Sequence, residues 1–160
     1  MKKTLKIYII LILLVTQSCG FSPILKNVSF ENIKISEIEY VGPNNLVYYL
    51  RSNLNIPISK GLKNAYKIKI KMKESATSVT KDTAGVTTEE KVTINISFTI
   101  LDKNNKTIGM DNIAESRNVS VTNNISTDSE NKRIEKENII TDLIQKLTFA
   151  IKARIASVSQ

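Results

Sequence analysis

The chain has no histidine, no tryptophan and one cysteine among its 160 residues. Lacking histidine, it lacks the usual general base at neutral pH and the commonest metal ligand. With one thiol it can form no internal disulfide. Glycine and proline are sparse, at 5 and 3 residues, and neither a glycine-rich phosphate loop nor a nucleophile elbow occurs. Catalysis would have to rest on carboxylates, tyrosine, lysine or a Ser-Lys pair, and no spacing in the chain suggests such a site. The composition therefore predicts a protein that is not an enzyme and uses no metal and no cofactor.

The single cysteine has an informative position. The first residues, MKKTLK, carry Lys2, Lys3 and Lys6, and no acid precedes Cys19. The apolar run at 7–15, IYIILILLV, follows. A basic start and an apolar block well short of the ~20 residues of a membrane span read as a secretory signal. Ser18, a small residue, stands immediately before Cys19. This arrangement resembles the lipobox of bacterial lipoproteins, with Thr16 where that pattern usually has leucine and Val15 one place earlier. The resemblance implies cleavage after residue 18 and acyl chains on Cys19, and two or three chains anchor a protein stably. Gly20 stands where many such lipoproteins carry an aspartate that retains them in the inner membrane, which implies the outer membrane, facing the periplasm. Removing 1–18 takes three lysines and no acid, so the formal charge falls from +8 to +5. A modest positive excess suits phosphate or lipid head groups, and export makes nucleic acid the least expected partner.

Residues 19–160 suffice for one domain. The stretch CGFSPILKN reads as an extended tether. NIKISEIEY alternates as a first strand, broken by Gly42 and Pro43. In NNLVYYLRSNLN, Leu46, Leu50 and Leu54 recur at helical spacing, and Pro43 fits the first turn of a helix. IPISKGLKN reads as a loop.

YKIKIKMK carries the clearest periodicity. Tyr66, Ile68, Ile70 and Met72 fall on one side of a strand and Lys67, Lys69, Lys71 and Lys73 on the other. Those lysines read either as a solvated or edge-protecting face or as a basic strip for an anionic ligand. TAGVTTEE holds a turn or bulge. KVTINISFTIL then alternates again, with Val92, Ile94, Ile96, Phe98 and Ile100 opposite Thr93, Asn95, Ser97 and Thr99. DKNNK is a hairpin turn by composition. TIGMDNIAESRNVSVTN reads as a further strand whose phase changes near Asp111 to Ile113, which predicts a bulge there. Thr127 and Glu130 have capping-box spacing, and Ile140, Leu143, Ile144, Leu147, Ile151 and Ile155 give the last helix one apolar stripe. The expected fold is α+β: a two-layer sandwich in which a mostly antiparallel four-stranded sheet carries two helices on one face and leaves the other open.

The lipobox with CGFSP, the glycine-containing turn within KDTAGVTTEEKVTINISFTILD and the C-terminal amphipathic helix together resemble the LptE family of lipopolysaccharide-assembly lipoproteins over nearly all of 19–160. Ile24 and Leu25 replace the Leu-Tyr pair that follows CGF-x-P in alphaproteobacterial members. The resemblance implies a protein that plugs the outer-membrane barrel LptD, helps that barrel assemble and binds lipopolysaccharide through basic residues at strand ends and loops. Lys81 and Lys91, which flank the turn, and Lys132 and Arg133, near the start of the last helix, are the candidate positions, besides the strip of Lys67, Lys69 and Lys71. Two other classes remain open: a free-standing lipid-binding or chaperone lipoprotein, which needs a deep apolar pocket, and an envelope hydrolase, which needs a Ser-Lys or paired-carboxylate site.

Overall fold

The computed structural model describes residues 33–59, 61–62 and 65–158. The predicted signal at 1–18, Cys19 and the tether lie outside them. The described chain runs β1 (Ile35–Val41), α1 (Asn44–Asn53), β2 (Tyr66–Lys81), β3 (Thr87–Leu101), β4 (Thr107–Ser120) and α2 (Ile125–Val158). The four strands form one open sheet in the order β1-β2-β3-β4. β1 pairs parallel to β2, and β2/β3 and β3/β4 pair antiparallel. This is the expected α+β architecture, with one parallel pair because α1 crosses between β1 and β2.

Alternation in β2 and β3 sends Ile68, Ile70, Met72, Ile94, Ile96, Phe98 and Ile100 into the core, all nearly inaccessible to solvent. From α2, Ile139, Ile140, Leu143, Leu147, Ile151 and Ile155 meet them, and α1 adds Leu46 and Leu50. Burying each such side chain contributes about 1.5–3 kcal/mol. The layer between α2 and the sheet is filled by these side chains.

Several local expectations are corrected. β2 runs on to Lys81 and β3 starts at Thr87, so the hairpin turn is Asp82 to Val86, where Gly85 takes φ 81° and the Asp82 carboxylate accepts the Ala84 and Val86 amides. β4 pairs without interruption across 111–113; the register shift falls between Ile100 and Leu101. The apparent change of phase is chemical. Asp111, Glu115 and Arg117 occupy positions facing α2 and meet charges on that helix. The last helix starts at Ile125, and its cap is Asn124, whose Oδ1 accepts the Ser126 and Thr127 amides at 3.1 and 3.2 Å. Glu130 instead pairs with Arg133.

β1 ends because Gly42, at φ 154°, turns the chain where a Cβ would lie 2.9 Å from the Met72 carbonyl oxygen, and Pro43 then enters α1. The sheet is consequently stepped. Val41 pairs with Lys71 as the last β1 contact, while β2 continues to Lys81 with β3 alone beside it. Residues 73–81 are all exposed.

Candidate functional site: the open face of the sheet

The face away from the helices carries the side chains that alternation turned outward. Register sets Lys71 beside Ser97 and Asn112, Lys73 beside Asn95 and Ala114, and Lys91 beside Thr77 and Asn118. The Ser97 hydroxyl donates to Asn112 Oδ1 at 3.3 Å. Around this row lies a shallow hollow of ≈ 460 Å³ whose lining includes Lys71, Lys73, Ser75, Thr93 and Asn95. The Oδ1 of Asn95 is buried and has no hydrogen-bond partner, an unusual condition for a buried acceptor and one that a ligand donor would relieve.

The eight sequence candidates separate sharply. Cys19 lies outside the described residues. Lys67, Lys69 and Lys71 line up on the open face of β2, and Lys91 joins them on β3. Lys69 is paired with Glu39 at 3.1 Å. Lys67, Lys71, Lys73 and Lys91 have no carboxylate within ion-pair distance among the described residues. Lys81 stands apart, at the end of β2 beside the turn. Lys132 and Arg133 are on the opposite side, where Lys132 binds Glu90 at 2.8 Å and Arg133 binds Glu130 and Glu137 on its own helix. The Arg133 guanidinium is held protonated by those two carboxylates. The open face thus gathers Lys67, Lys69, Lys71 and Lys91, while Lys132 and Arg133 serve the other layer.

Sequence alternation could place Lys73, Asn95 and Asn112 on strand faces but could not bring them together, because pairing register requires the partner strand. Asn112 on β4 meets Ser97 on β3 only through it.

The helix layer is stitched to the sheet by charge as well as by packing. Lys136 binds Glu74 at 3.0 Å and Lys132 binds Glu90 on one flank. On the other, Arg117 reaches Asp142 at 2.9 Å, Lys146 binds Glu115, and Arg154 binds Asp111 at 3.1 Å. The Asn112 amide and then Arg154 hold the Asp111 carboxyl below the usual range, and Lys146 does the same to Glu115. Asp128, buried beneath the start of α2, accepts both the amide and the hydroxyl of Thr122, and its carboxyl is likewise depressed. Among the described residues no three metal-ligating side chains converge.

The class this defines is an open-faced α+β sheet, closed by two helices on one side and presenting a polar, lysine-bearing surface on the other. Solved structures share that fold. Rare lipoprotein B from Shewanella oneidensis superposes with a TM-score of 0.62 over 78% of this chain and 100% of its own, at 8% identity. A minor lipoprotein from Acinetobacter baumannii gives 0.57 over 76% of this chain and 93% of its own, at 16% identity. Lipoprotein B from Nitrosomonas europaea gives 0.57 over 76% and 84%, at 11% identity. At these identities the likeness establishes the fold. No family model and no curated protein matches the sequence.

Proposed function

We propose that the chain is a lipoprotein of the bacterial outer membrane, anchored through acyl chains on Cys19 and facing the periplasm. In this reading it acts without catalysis as an LptE-like subunit. It occupies an LptD-like β-barrel, assists that barrel's assembly and meets the phosphates of lipopolysaccharide. The observation that carries the reading is the contrast between the two sheet faces. Charges on the helix side meet in pairs, whereas among the described residues Lys67, Lys71, Lys73 and Lys91 on the open side have no carboxylate within ion-pair distance. Uncompensated ammonium groups among hydroxyl and amide side chains suit a phosphorylated sugar: charge meets phosphate, and Asn95 Oδ1 can accept from a hydroxyl. That these three structural neighbours are lipoproteins accords with a lipobox at Cys19.

A free-standing carrier is disfavoured because Phe98, Leu143, Leu147 and Ile151 fill the space between helix and sheet where an acyl chain would have to lie. The test is purification of the tagged full-length protein from detergent-dissolved outer membranes. Equimolar recovery of a large β-barrel is expected; recovery of the lipoprotein alone, from membranes that contain such a barrel, refutes the plug.

A further inference from the structure

β4 and the far part of β2 both present sheet edges, and they are treated differently. On β4 the Asn112 amide donates to the Asp111 carboxylate at 2.9 Å, and the Ser116 amide bonds the Glu115 carboxylate. Residues 112 and 116 are four apart on a strand, so their N–H groups point in the same lateral direction. Their capture by side chains marks that direction as the outer edge and occupies donors that an added strand would need. Arg154 and Lys146 of α2 hold both carboxylates in place. The β4 edge is therefore guarded.

A second edge is the step in β2. β1 pairs no further than Lys71, and residues 73–81 present their remaining backbone groups to the line β1 would have followed. No side chain among the described residues caps that edge, and nine residues at roughly 3.3 Å each give it a length of about 30 Å. The α1/α2 groove at Leu46, Tyr48, Tyr49, Lys136 and Ile140 lies on the helix side of the same step; Glu74, on β2, binds Lys136 there.

We propose that residues 73–81 of β2 receive an extended segment of a partner protein as an added strand, and that this segment carries acidic residues near both its ends. From Lys73 to Ser78 the strand pairs β3 in regular register, and its outward row of alternating donors and acceptors is complemented by a strand; register shifts on either side of Thr80 interrupt that row before Lys81. Among the described residues, Lys73 and Lys81, at the two ends of the step, have no carboxylate within ion-pair distance. They also argue against a second copy as the occupant. Antiparallel self-pairing along the step brings Lys73 of each copy near Lys81 of the other, and like charges so placed repel. The proposal rests on the reading that the chain works by holding a partner. Co-purification tests that reading and peptide binding tests the edge, so each can fail alone.

The test uses the full-length protein in detergent and a nine-residue peptide of alternating threonine and valine with glutamate at both ends. The control is the same peptide with lysine at both ends. Amide hydrogen exchange is followed residue by residue. The glutamate peptide is expected to slow exchange at the amides of 73–81 that point away from β3, at alternate positions up to Ser78, and to bind at least tenfold more tightly than the control. The double variant Lys73→Glu/Lys81→Glu is expected to reverse that preference. Slowing at β4 instead, or at neither edge, overturns the proposal. So does protection, in the protein alone, of those 73–81 amides that point away from β3, which would mean that this chain or a second copy already fills the step.

Discussion

Arg154, near the end of α2, hydrogen-bonds the carboxylate of Asp111 on β4 at 3.1 Å, and that carboxylate also accepts the Asn112 amide at 2.9 Å. One side chain thereby fastens the helix and closes the sheet edge. Gly109 makes room for it, since a Cβ there would lie 3.3 Å from that of Arg154.

Removing the guard should expose the edge. Asp111→Ala with Glu115→Ala leaves the Asn112 and Ser116 amides without side-chain acceptors on a long strand that contains neither proline nor lysine. The double variant is expected to form concentration-dependent dimers or larger species by light scattering where the parent stays smaller. An unchanged mass across a hundredfold concentration range would show that these carboxylates do not protect the edge.

Acid should loosen the helix layer. Asp111, Glu115 and Asp128 have carboxyl pKa values lowered in the folded chain. The unfolded chain then binds more protons in the window below its own carboxylate values, so stability rises with pH there and is lost as pH falls below about 4. Melting temperature should be nearly level from pH 5 to 8 and drop below pH 4. In Lys146→Met/Arg154→Met the acid drop should shrink, because part of what protonation removes is already gone. An equal drop in both proteins would assign the acid sensitivity elsewhere.

The architecture was legible because β2, β3 and the stripe of α2 alternate with the periods of strand and helix, and the burial of Ile68, Ile70, Phe98 and Leu147 follows from that alone. β4 was harder to read. Its inward positions at 111, 115 and 117 are charged, so hydropathy suggested a break where the pairing with β3 is unbroken. The partners that make those charges tolerable, Arg154, Lys146 and Asp142, lie 43, 31 and 25 positions away. The helix cap was misplaced for a similar reason: Asn124 and Thr127 are both capping residues, and the buried Asp128 to Thr122 bonds decide where the turn closes. Of the candidate basic residues, alternation could group Lys67, Lys69 and Lys71. That Lys132 and Arg133 face away from them depends on how α2 is docked.

The core placement of α2 has its own check. Leu147 is fully buried among sheet and helix side chains. Leu147→Ala should cost about 2–5 kcal/mol in denaturant unfolding, and Leu147→Asp should prevent folding because a charge would enter the core unpaired. A normal melt for the aspartate variant would contradict the docking of α2 on the sheet.

Gly42 should resist substitution despite its exposed position. Alanine there must adopt φ 154° and drive a Cβ to 2.9 Å from both the Cβ and the carbonyl oxygen of Met72. A loss of the order of 1–3 kcal/mol is expected from the backbone strain, and wild-type stability for Gly42→Ala would mean the chain can leave the sheet another way.

The open-face lysines supply the prediction on which the proposed ligand class depends. Lys67→Glu, Lys69→Glu and Lys71→Glu together reverse charge on a surface whose side chains take no part in the core, so the melting temperature should move little. Lys69 loses its Glu39 partner, but an exposed pair of that kind contributes at most about 1 kcal/mol. Binding to anionic lipid vesicles should weaken by more than tenfold and lose most of its dependence on salt, because the interaction that salt screens has been removed. Uncharged phosphatidylcholine vesicles separate charge from general adhesion: the parent should bind them no better than the variant. If the triple variant holds anionic vesicles as tightly as the parent, the lysines are an ordinary solvated face, and the positive charge of this surface has no part in recognising phosphate.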